Sequence, residues 1–348
     1  MLRVGIVGLP NAGKSTTFNA ISGAEAVVAP YPFSTIEPNK AVVGLHDPDL
    51  EELASSVEAA DIQYSNLEIM DIAGLIKGAS NGEGLGNEFL GQMKNCDMLI
   101  HLVRVAKGSD IDVIRENIDT VRQEIAFFDH RLLRKPFEKA RRLARLYPKS
   151  KEYRDMSKLY TTVFYKTQDG DPISQVATPA QIEALEQDEI GLVSLKPSII
   201  IANVDSDDGA KNLALELGAD LVVNSYELSE MAGLSAEEQK ELGFSGTELK
   251  VALEGLTRVV LAATAMKQVY TIGHLGVGQW VAPDQATAEY CASLLHKDLE
   301  EETKSVKVAQ PHDFMVHKTW SALAKNGLVK TYGASKYVPK DKEILLFE

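Results

Sequence analysis

The sequence predicts an α/β fold: a doubly wound, mostly parallel sheet, interrupted by an inserted helical hairpin and followed by a small α+β unit. Three observations carry that reading. Short, continuous, β-branched runs alternate with helical stretches, as in parallel sheets covered on both faces. About ninety residues between Val105 and Pro197 have a different, helical character. Beyond Met266 the apolar pattern changes to the alternation of half-exposed strands.

The elements follow in order. Leu2 to Val7 forms a first strand ending at Gly8, and a helix around Ser15 to Ile21 follows a glycine-rich turn. Leu67 to Met70 is a strand leading into Asp71, and Met98 to Val103 is another. Ile114, Ile118, Val121 and Ile125 share one face of a helix over Asp112–Phe128. Arg131 to Tyr165 is also helix-compatible, with a break at Tyr147-Pro148, so a helical hairpin is expected. Strands at Pro197–Ala202 and Asp220–Asn224 and a helix over Glu248–Met266 complete the first sheet. Three strands, Gln268–Ile272, Ser305–Val308 and Ile344–Phe347, with helices over Thr287–Leu299 and Ser321–Ala324, make the last unit. The expected division is 1–110 with 196–266, then 111–195 as the insertion, then 267–348.

Composition narrows the class. A chain of 348 residues, 45% apolar and 25% charged, can bury two or three cores without covalent staples. Cys96 and Cys291, far apart in sequence, exclude a disulfide scaffold and read as buried thiols. No Cys/His pairs stand at zinc-ligand spacing. No apolar run reaches the roughly 18 residues of a membrane span, and the N-terminus lacks a signal-peptide layout. A reduced, cytoplasmic setting without membrane attachment is therefore expected. The net charge of -14 argues against simple non-specific nucleic-acid binding. Locally the balance reverses: residues 131–166 carry 12 Lys/Arg against 3 Asp/Glu, interleaved with Tyr147, Tyr153, Tyr160 and Tyr165. Such an arm is either a solvated helix face or a surface for RNA phosphates and exposed bases. His101, in an apolar strand, reads as a core residue.

Gly8-Leu9-Pro10-Asn11-Ala12-Gly13-Lys14-Ser15 matches the phosphate-binding pattern G-x-x-x-x-G-K-[ST] in full, with a strand before and a helix after. Glycines let backbone amides curl around phosphate oxygens, and the helix N-terminus faces the same anions. Asn11, Ala12, Gly13, Lys14, Ser15 and Thr16 are thus the candidate phosphate-binding residues. Lys14 supplies a point charge to the β- and γ-phosphates, and Ser15 a hydroxyl to Mg²⁺. Asp71-Ile72-Ala73-Gly74 follows a strand, so Asp71 can hold Mg²⁺ through water and the Gly74 amide can face a γ-phosphate. Between them, the proline-punctuated loop Tyr31–Asn39 is either a rigid surface turn or a phosphate-ordered switch that offers Thr35 as a further Mg²⁺ ligand. Asn203-Val204-Asp205-Ser206 is expected at the base pocket, with Ser225 closing over it. A guanine-specific site usually reads N-K-x-D; here Ser206 holds the acceptor position.

With these residues in place, the chain resembles the YchF/Obg-like ATPase family. The carriers are Gly8–Thr16, Tyr31–Asn39, the long stretch Asp71–Asn87, and Lys196 through Val204. Residues 267–348 resemble the TGS domain of that family. The resemblance implies an OBG-type G domain that prefers ATP over GTP and associates with ribosomes as a nucleotide switch. It implies slow intrinsic turnover, because Leu75 stands where related GTPases place a water-orienting glutamine. Asn11 stands where potassium-stimulated relatives hold a monovalent cation, so K⁺ is expected beside Mg²⁺. The family's N-x-x-E base loop ends here in Ser206, and its usual Asp-Gly turn near the C-terminus is absent from Pro339–Ile344.

The expectation is a monomeric, Mg²⁺-dependent ATPase. Lys14, Thr35, Asp71 and Gly74 carry the chemistry, Ser15, Thr35 and Asp71 hold the metal, and Asn203, Val204 and Ser225 shape the base pocket. Its expected partner is the ribosome or a subunit, touched through the basic insertion. The alternatives are a translation-related GTPase and a nucleotide-gated ribosome-binding module in which hydrolysis is incidental.

Overall fold

The computed structural model describes residues 1–28, 39–72, 91–188, 190–242, 247–273 and 276–348. The expected switch residues Thr35, Gly74 and Leu75 lie outside them.

The first sheet has six strands in the order β2-β4-β1-β5-β6-β7. These are β1 (Leu2–Val7), β2 (Lys40–Gly44), β4 (Asn66–Asp71), β5 (Met98–Val105), β6 (Ser198–Val204) and β7 (Leu221–Val223). All neighbours run parallel except β2, which pairs antiparallel with β4. The mostly parallel, doubly wound sheet expected from the sequence is therefore present. Its strands are apolar on both faces because helices cover both. On one face α1 (Lys14–Val28) and α10 (Thr247–Ala263) pack over Val4, Ile6, Leu67, Ile100 and Ile201. Leu249, Leu253, Leu256 and Val260 recur at helical spacing on the buried side of α10. On the other face, Ile114, Ile118, Val121 and Ile125 of α3 (Ile111–Leu146) reach the sheet as their spacing predicts.

Helix α3 continues for 36 residues, joining two expected helical segments across His130. It carries Pro136 in its interior, where one main-chain hydrogen bond is lost. The chain breaks at Tyr147-Pro148 and returns as α4 (Lys151–Gln168), N-capped by Ser150. The pair forms its own core from Leu133, Phe137, Ala140, Tyr160 and Val163. Phe137 and Phe164 stack with ring centroids 4.3 Å apart. At the base of the hairpin the buried carboxylate of Asp129 accepts from the amides of Val193 (2.7 Å) and Ser194 (2.8 Å).

The second sheet, also six-stranded, runs β11-β10-β12-β8-β9-β3. It comprises β8 (Met266–Ile272), β9 (Gly276–Pro283), β10 (Ser305–Ala309), β11 (Lys330–Gly333) and β12 (Ile344–Phe347). Its edge strand β3 (Asp61–Gln63) comes from the N-terminal third of the chain and pairs parallel with β9. The helix before it, α2 (Pro48–Ser56), packs Leu50 and Leu53 against Tyr270, Phe314 and Ile344. By packing, then, residues from about 48 to 64 belong with the C-terminal sheet rather than with the nucleotide-binding sheet assigned to 1–110. Three-residue strands and short helices leave too little periodicity in the sequence to announce this exchange.

Lys342 fastens the same junction. Its Nζ donates to Asp47 Oδ1 (3.0 Å) and to Asp49 Oδ2 (2.5 Å), and Tyr270 Oη donates to Asp47 Oδ2 (2.5 Å). Asp47 is only 2% exposed. Lys342 adopts φ 64°, the left-handed conformation a glycine takes without strain. Cys96 and Cys291 are both buried, and burial pushes each thiol up to about 11. Among the described residues no helix is long and apolar enough to cross a membrane.

Candidate nucleotide site

The site forms at the carboxyl ends of β1, β4 and β6, around the turn from β1 into α1. Strand β1 ends against β5, and a Cβ on Gly8 would lie 2.4 Å from the Leu102 carbonyl oxygen, so the loop approaches β5 as only glycine allows. Asn11 (φ 66°) and Gly13 (φ 92°) both take the left-handed conformation, curling the chain before α1 begins at Lys14. Such a turn points successive amides inward, toward an anion at the helix N-terminus.

Lys14 is 8% exposed and its Nζ donates to the carbonyls of Gly8 and Leu9, each at 3.0 Å. Burial lowers its pKa, and the nearby Asp71 carboxylate works against that shift. Ser15 Oγ donates to Asp71 Oδ2 at 2.6 Å. Asp71 closes β4, where its amide is held by the Asn39 carbonyl at 3.0 Å. Among the described residues its second oxygen, Oδ1, is buried with no hydrogen-bond partner. A buried, unpaired carboxylate oxygen is costly without a cation or donor. Lys14, Ser15 and Asp71, chosen from the sequence, are thus brought together.

Asn203 ties the loop to the far side of the sheet. Its Nδ2 donates to the Ala12 carbonyl (3.1 Å) and its Oδ1 accepts from the Ser225 amide (3.1 Å). A Cβ on Gly13 would lie 2.3 Å from Asn203 Nδ2, so the glycine is also required by this tether. Two expected base-pocket side chains turn out to be structural. Val204, the next residue on β6, faces the opposite side and is buried with Val103, Val105 and Ile118. Ser225 is fully buried, its Oγ 2.6 Å from Thr17 Oγ1. Thr17, which the motif does not specify, joins α1 to α8 (Ser225–Ala232) through this bond. Tyr226, beside it, is 67% exposed. Thr16 is half-buried, and Asn11 is exposed at the mouth of a cavity of about 330 Å³ shared with Leu9, His101, Arg104 and Asn117. His101 is 7% exposed, as a core residue should be, and burial, then repulsion from Arg122, lowers its pKa to about 4.

The donor set suits Mg²⁺. A hydroxyl and a carboxylate are hard oxygen ligands, and one carboxylate oxygen is unpaired. Among the described residues no cluster of three or more His, Cys, Asp or Glu could hold a metal alone.

The basic arm lies along the outer half of the hairpin. Arg142, Arg145, Tyr147 and Tyr165 are exposed, and Tyr147 packs near Tyr153 (ring centroids 5.4 Å apart). Tyr160 departs from the expected set: it is 3% exposed and bonded to Asp188, so it offers no stacking face.

Comparison with known proteins agrees with this architecture. Residues 3–137 match a family described as 50S ribosome-binding GTPase, and residues 266–348 match the YchF C-terminal family, described as a protein of unknown function. The ribosome-binding ATPase YchF of Mycoplasma genitalium is 31% identical over 100% of this chain and 99% of its own length. That of Pasteurella multocida is 32% identical over 99% and 98%. The solved structure of the Schizosaccharomyces pombe YchF GTPase superposes with a TM-score of 0.79 at 25% identity, covering 100% of this chain and 97% of that one. With its nucleotide-type sheet, inserted hairpin and C-terminal sheet all matched end to end, the chain belongs to the YchF family.

Proposed function

We propose that this protein binds ATP with Mg²⁺, hydrolyses it slowly, and uses the bound nucleotide to control its attachment to the ribosome. The observation that carries the reading is the Ser15–Asp71 hydrogen bond with the unpaired Asp71 Oδ1 beside it, next to Lys14 in a curled glycine loop. The relatives' names, ribosome-binding ATPase, support the same class of activity.

In this reading the backbone from Gly8 to Lys14 cradles the phosphates. Lys14 exchanges its two carbonyl partners for β- and γ-phosphate oxygens, and its ammonium neutralises charge that grows as the terminal phosphoryl group departs. Ser15 and Thr35 would supply hydroxyl oxygens to Mg²⁺, and Asp71 would hold it through water. Bound there, Mg²⁺ would offset the negative charge of the phosphate oxygens. Gly74 would offer its amide to the γ-phosphate, and Asn11 would help hold K⁺. With Leu75 in place of a polar water-orienting side chain, turnover falls below the ~1–100 s⁻¹ typical of kinases. Asn203 positions the loop against the base side. The exposed arginines of the hairpin contact ribosomal RNA, and the protein acts as a cytoplasmic monomer.

Calorimetric titration of the pure protein with ATP, with and without Mg²⁺, tests the core of this. Mg²⁺-dependent heat is expected; none with any purine triphosphate would overturn it. The alternatives separate cheaply: ATP–GTP competition decides the base. Ribosome binding in ATP, ADP and no nucleotide separates a hydrolysis-driven cycle from simple gating.

A further inference from the structure

The base loop lacks the carboxylate that usually reads a purine's donor edge, because Ser206 stands in its place. Three other carboxylates lie close by, and two of them are turned away. Asp205 pairs with Arg104 at 3.8 Å. Asp207 caps the next helix, accepting from the Gly209 amide at 3.0 Å, and pairs with Lys107 at 3.1 Å. Both are thereby directed to the end of β5 and the loop after it.

The third carboxylate points the other way. Glu227, in the first turn of α8, accepts a hydrogen bond from Ser206 Oγ. Asn224 frames the pair: its Nδ2 donates to Ser206 Oγ (3.1 Å) and its Oδ1 accepts from the Glu227 amide (3.2 Å). The Ser206 hydroxyl is committed as a donor, and Glu227 Oε1 as an acceptor. The Glu227 side chain is exposed, and among the described residues no cation pairs with it. Two residues before it, the Ser225 amide holds Asn203, which in turn holds the phosphate loop. The free part of this carboxylate therefore stands beside the loop that ends in Ser206.

We infer that Glu227, lent from α8 and oriented by Ser206, is the base-reading acceptor of this site, and that it lets the pocket take guanine as well as adenine. The assignment rests on the nucleotide-binding reading above. A carboxylate only accepts. Guanine presents two adjacent donors, N1–H and the 2-amino group, whereas adenine presents only its 6-amino group. Losing the carboxylate therefore weakens guanine binding more than adenine binding, since a site built around a hydrogen-bonded contact discriminates strongly once that contact is lost.

The test is calorimetric titration with Mg-ATP and Mg-GTP of the wild type, Glu227→Ala, Glu227→Gln and Ser206→Ala, with Lys14→Ala as reference. GTP affinity is expected to fall about tenfold or more in Glu227→Ala, and ATP affinity less than about threefold. Glu227→Gln, whose amide offers one donor and one acceptor as adenine requires, should shift the ratio further toward ATP. Ser206→Ala should move it in the same direction by less. Lys14→Ala should weaken both nucleotides together. Unchanged affinities in both Glu227 variants, or parallel loss of ATP and GTP, would overturn the assignment and leave the nucleotide reading standing. A wild type that binds neither triphosphate would remove that reading itself. Glu227 is exposed, so retained thermal midpoints are expected in its variants.

Discussion

Ser15 Oγ and Asp71 Oδ2 stand 2.6 Å apart, linking the first turn of α1 to the end of β4 across 56 residues of sequence. The bond holds a hydroxyl and a carboxylate in one place and leaves Asp71 Oδ1 buried and unpaired among the described residues. Asp71→Asn and Ser15→Ala should each weaken ATP binding in Mg²⁺ by about 1.5–3 kcal/mol, the range for hydrogen bonds to charged groups. In EDTA the variants and the wild type should bind alike. Equal losses with and without Mg²⁺ would place the residues on the nucleotide rather than on the metal.

Asn203 is predicted to act through the phosphate loop. Asn203→Ala strands the Ala12 carbonyl and the Ser225 amide, at about 1 kcal/mol for each lost bond. Thermal stability should drop and nucleotide dissociation quicken. Gly13→Ala should be worse, because its new methyl would meet Asn203 Nδ2 and its φ of 92° is strained for alanine. Stopped-flow release of a fluorescent nucleotide reads both variants.

At Lys342 two effects oppose. Burial lowers its pKa, but hydrogen bonds to Asp49 and Asp47 outweigh this and leave the pKa raised. Lys342→Ala loses the cation and keeps the strained φ of 64°, whereas Lys342→Gly loses the cation and relaxes the backbone. Glycine should therefore cost about 1 kcal/mol less than alanine. Both should loosen the contact of α2 with the C-terminal sheet, seen as faster amide exchange in β12. Identical urea midpoints for the two variants would contradict the strain argument.

Asp129 sets a pH dependence. Burial raises its carboxyl from 3.8 to about 6, and hydrogen bonds from Ser194 and Val193 limit the rise. The folded chain thus holds this proton more tightly than the unfolded one. The associated stability is complete below about pH 3.8 and is lost as pH rises through about 6. The loss is of order 3 kcal/mol. Asp129→Asn does not titrate, so the stability of the wild type relative to this variant should fall from pH 4 to pH 7. A constant difference in thermal denaturation would refute the assignment.

The hairpin arginines should act as phosphate contacts. Replacing Arg141, Arg142 and Arg145 with glutamine should lower the salt dependence of ribosome binding by roughly 0.7–0.9 logarithmic units per residue that touches RNA. An unchanged slope in sedimentation assays would assign the basic face to solvation alone.

Much of this was legible in the linear sequence. The strands β1, β4, β5 and β6 are continuous apolar runs, and their burial on both faces follows from that pattern alone. The phosphate loop was equally plain, because its glycines, lysine and serine must stand at fixed spacing for the backbone to curl. By contrast, β2, β3, β9 and β11 went unannounced, being short, glycine-bearing or weakly alternating. Position in sequence alone puts Val204 and Ser225 at the base pocket. Their side chains serve the core because strand alternation and the Thr17 bond direct them there.

Local chemistry, then, was determined by the sequence alone: which turn curls around an anion, which carboxylate ends a strand, and which helix carries a basic face. These depend on residue type and spacing over a few positions. Tertiary structure decided the rest: that Asp71 meets Ser15, that Asn203 braces the loop, that Glu227 reaches Ser206, and that β3 completes a sheet begun two hundred residues later in the chain. Such pairings depend on how the whole core closes, and no local pattern of residues records that closure.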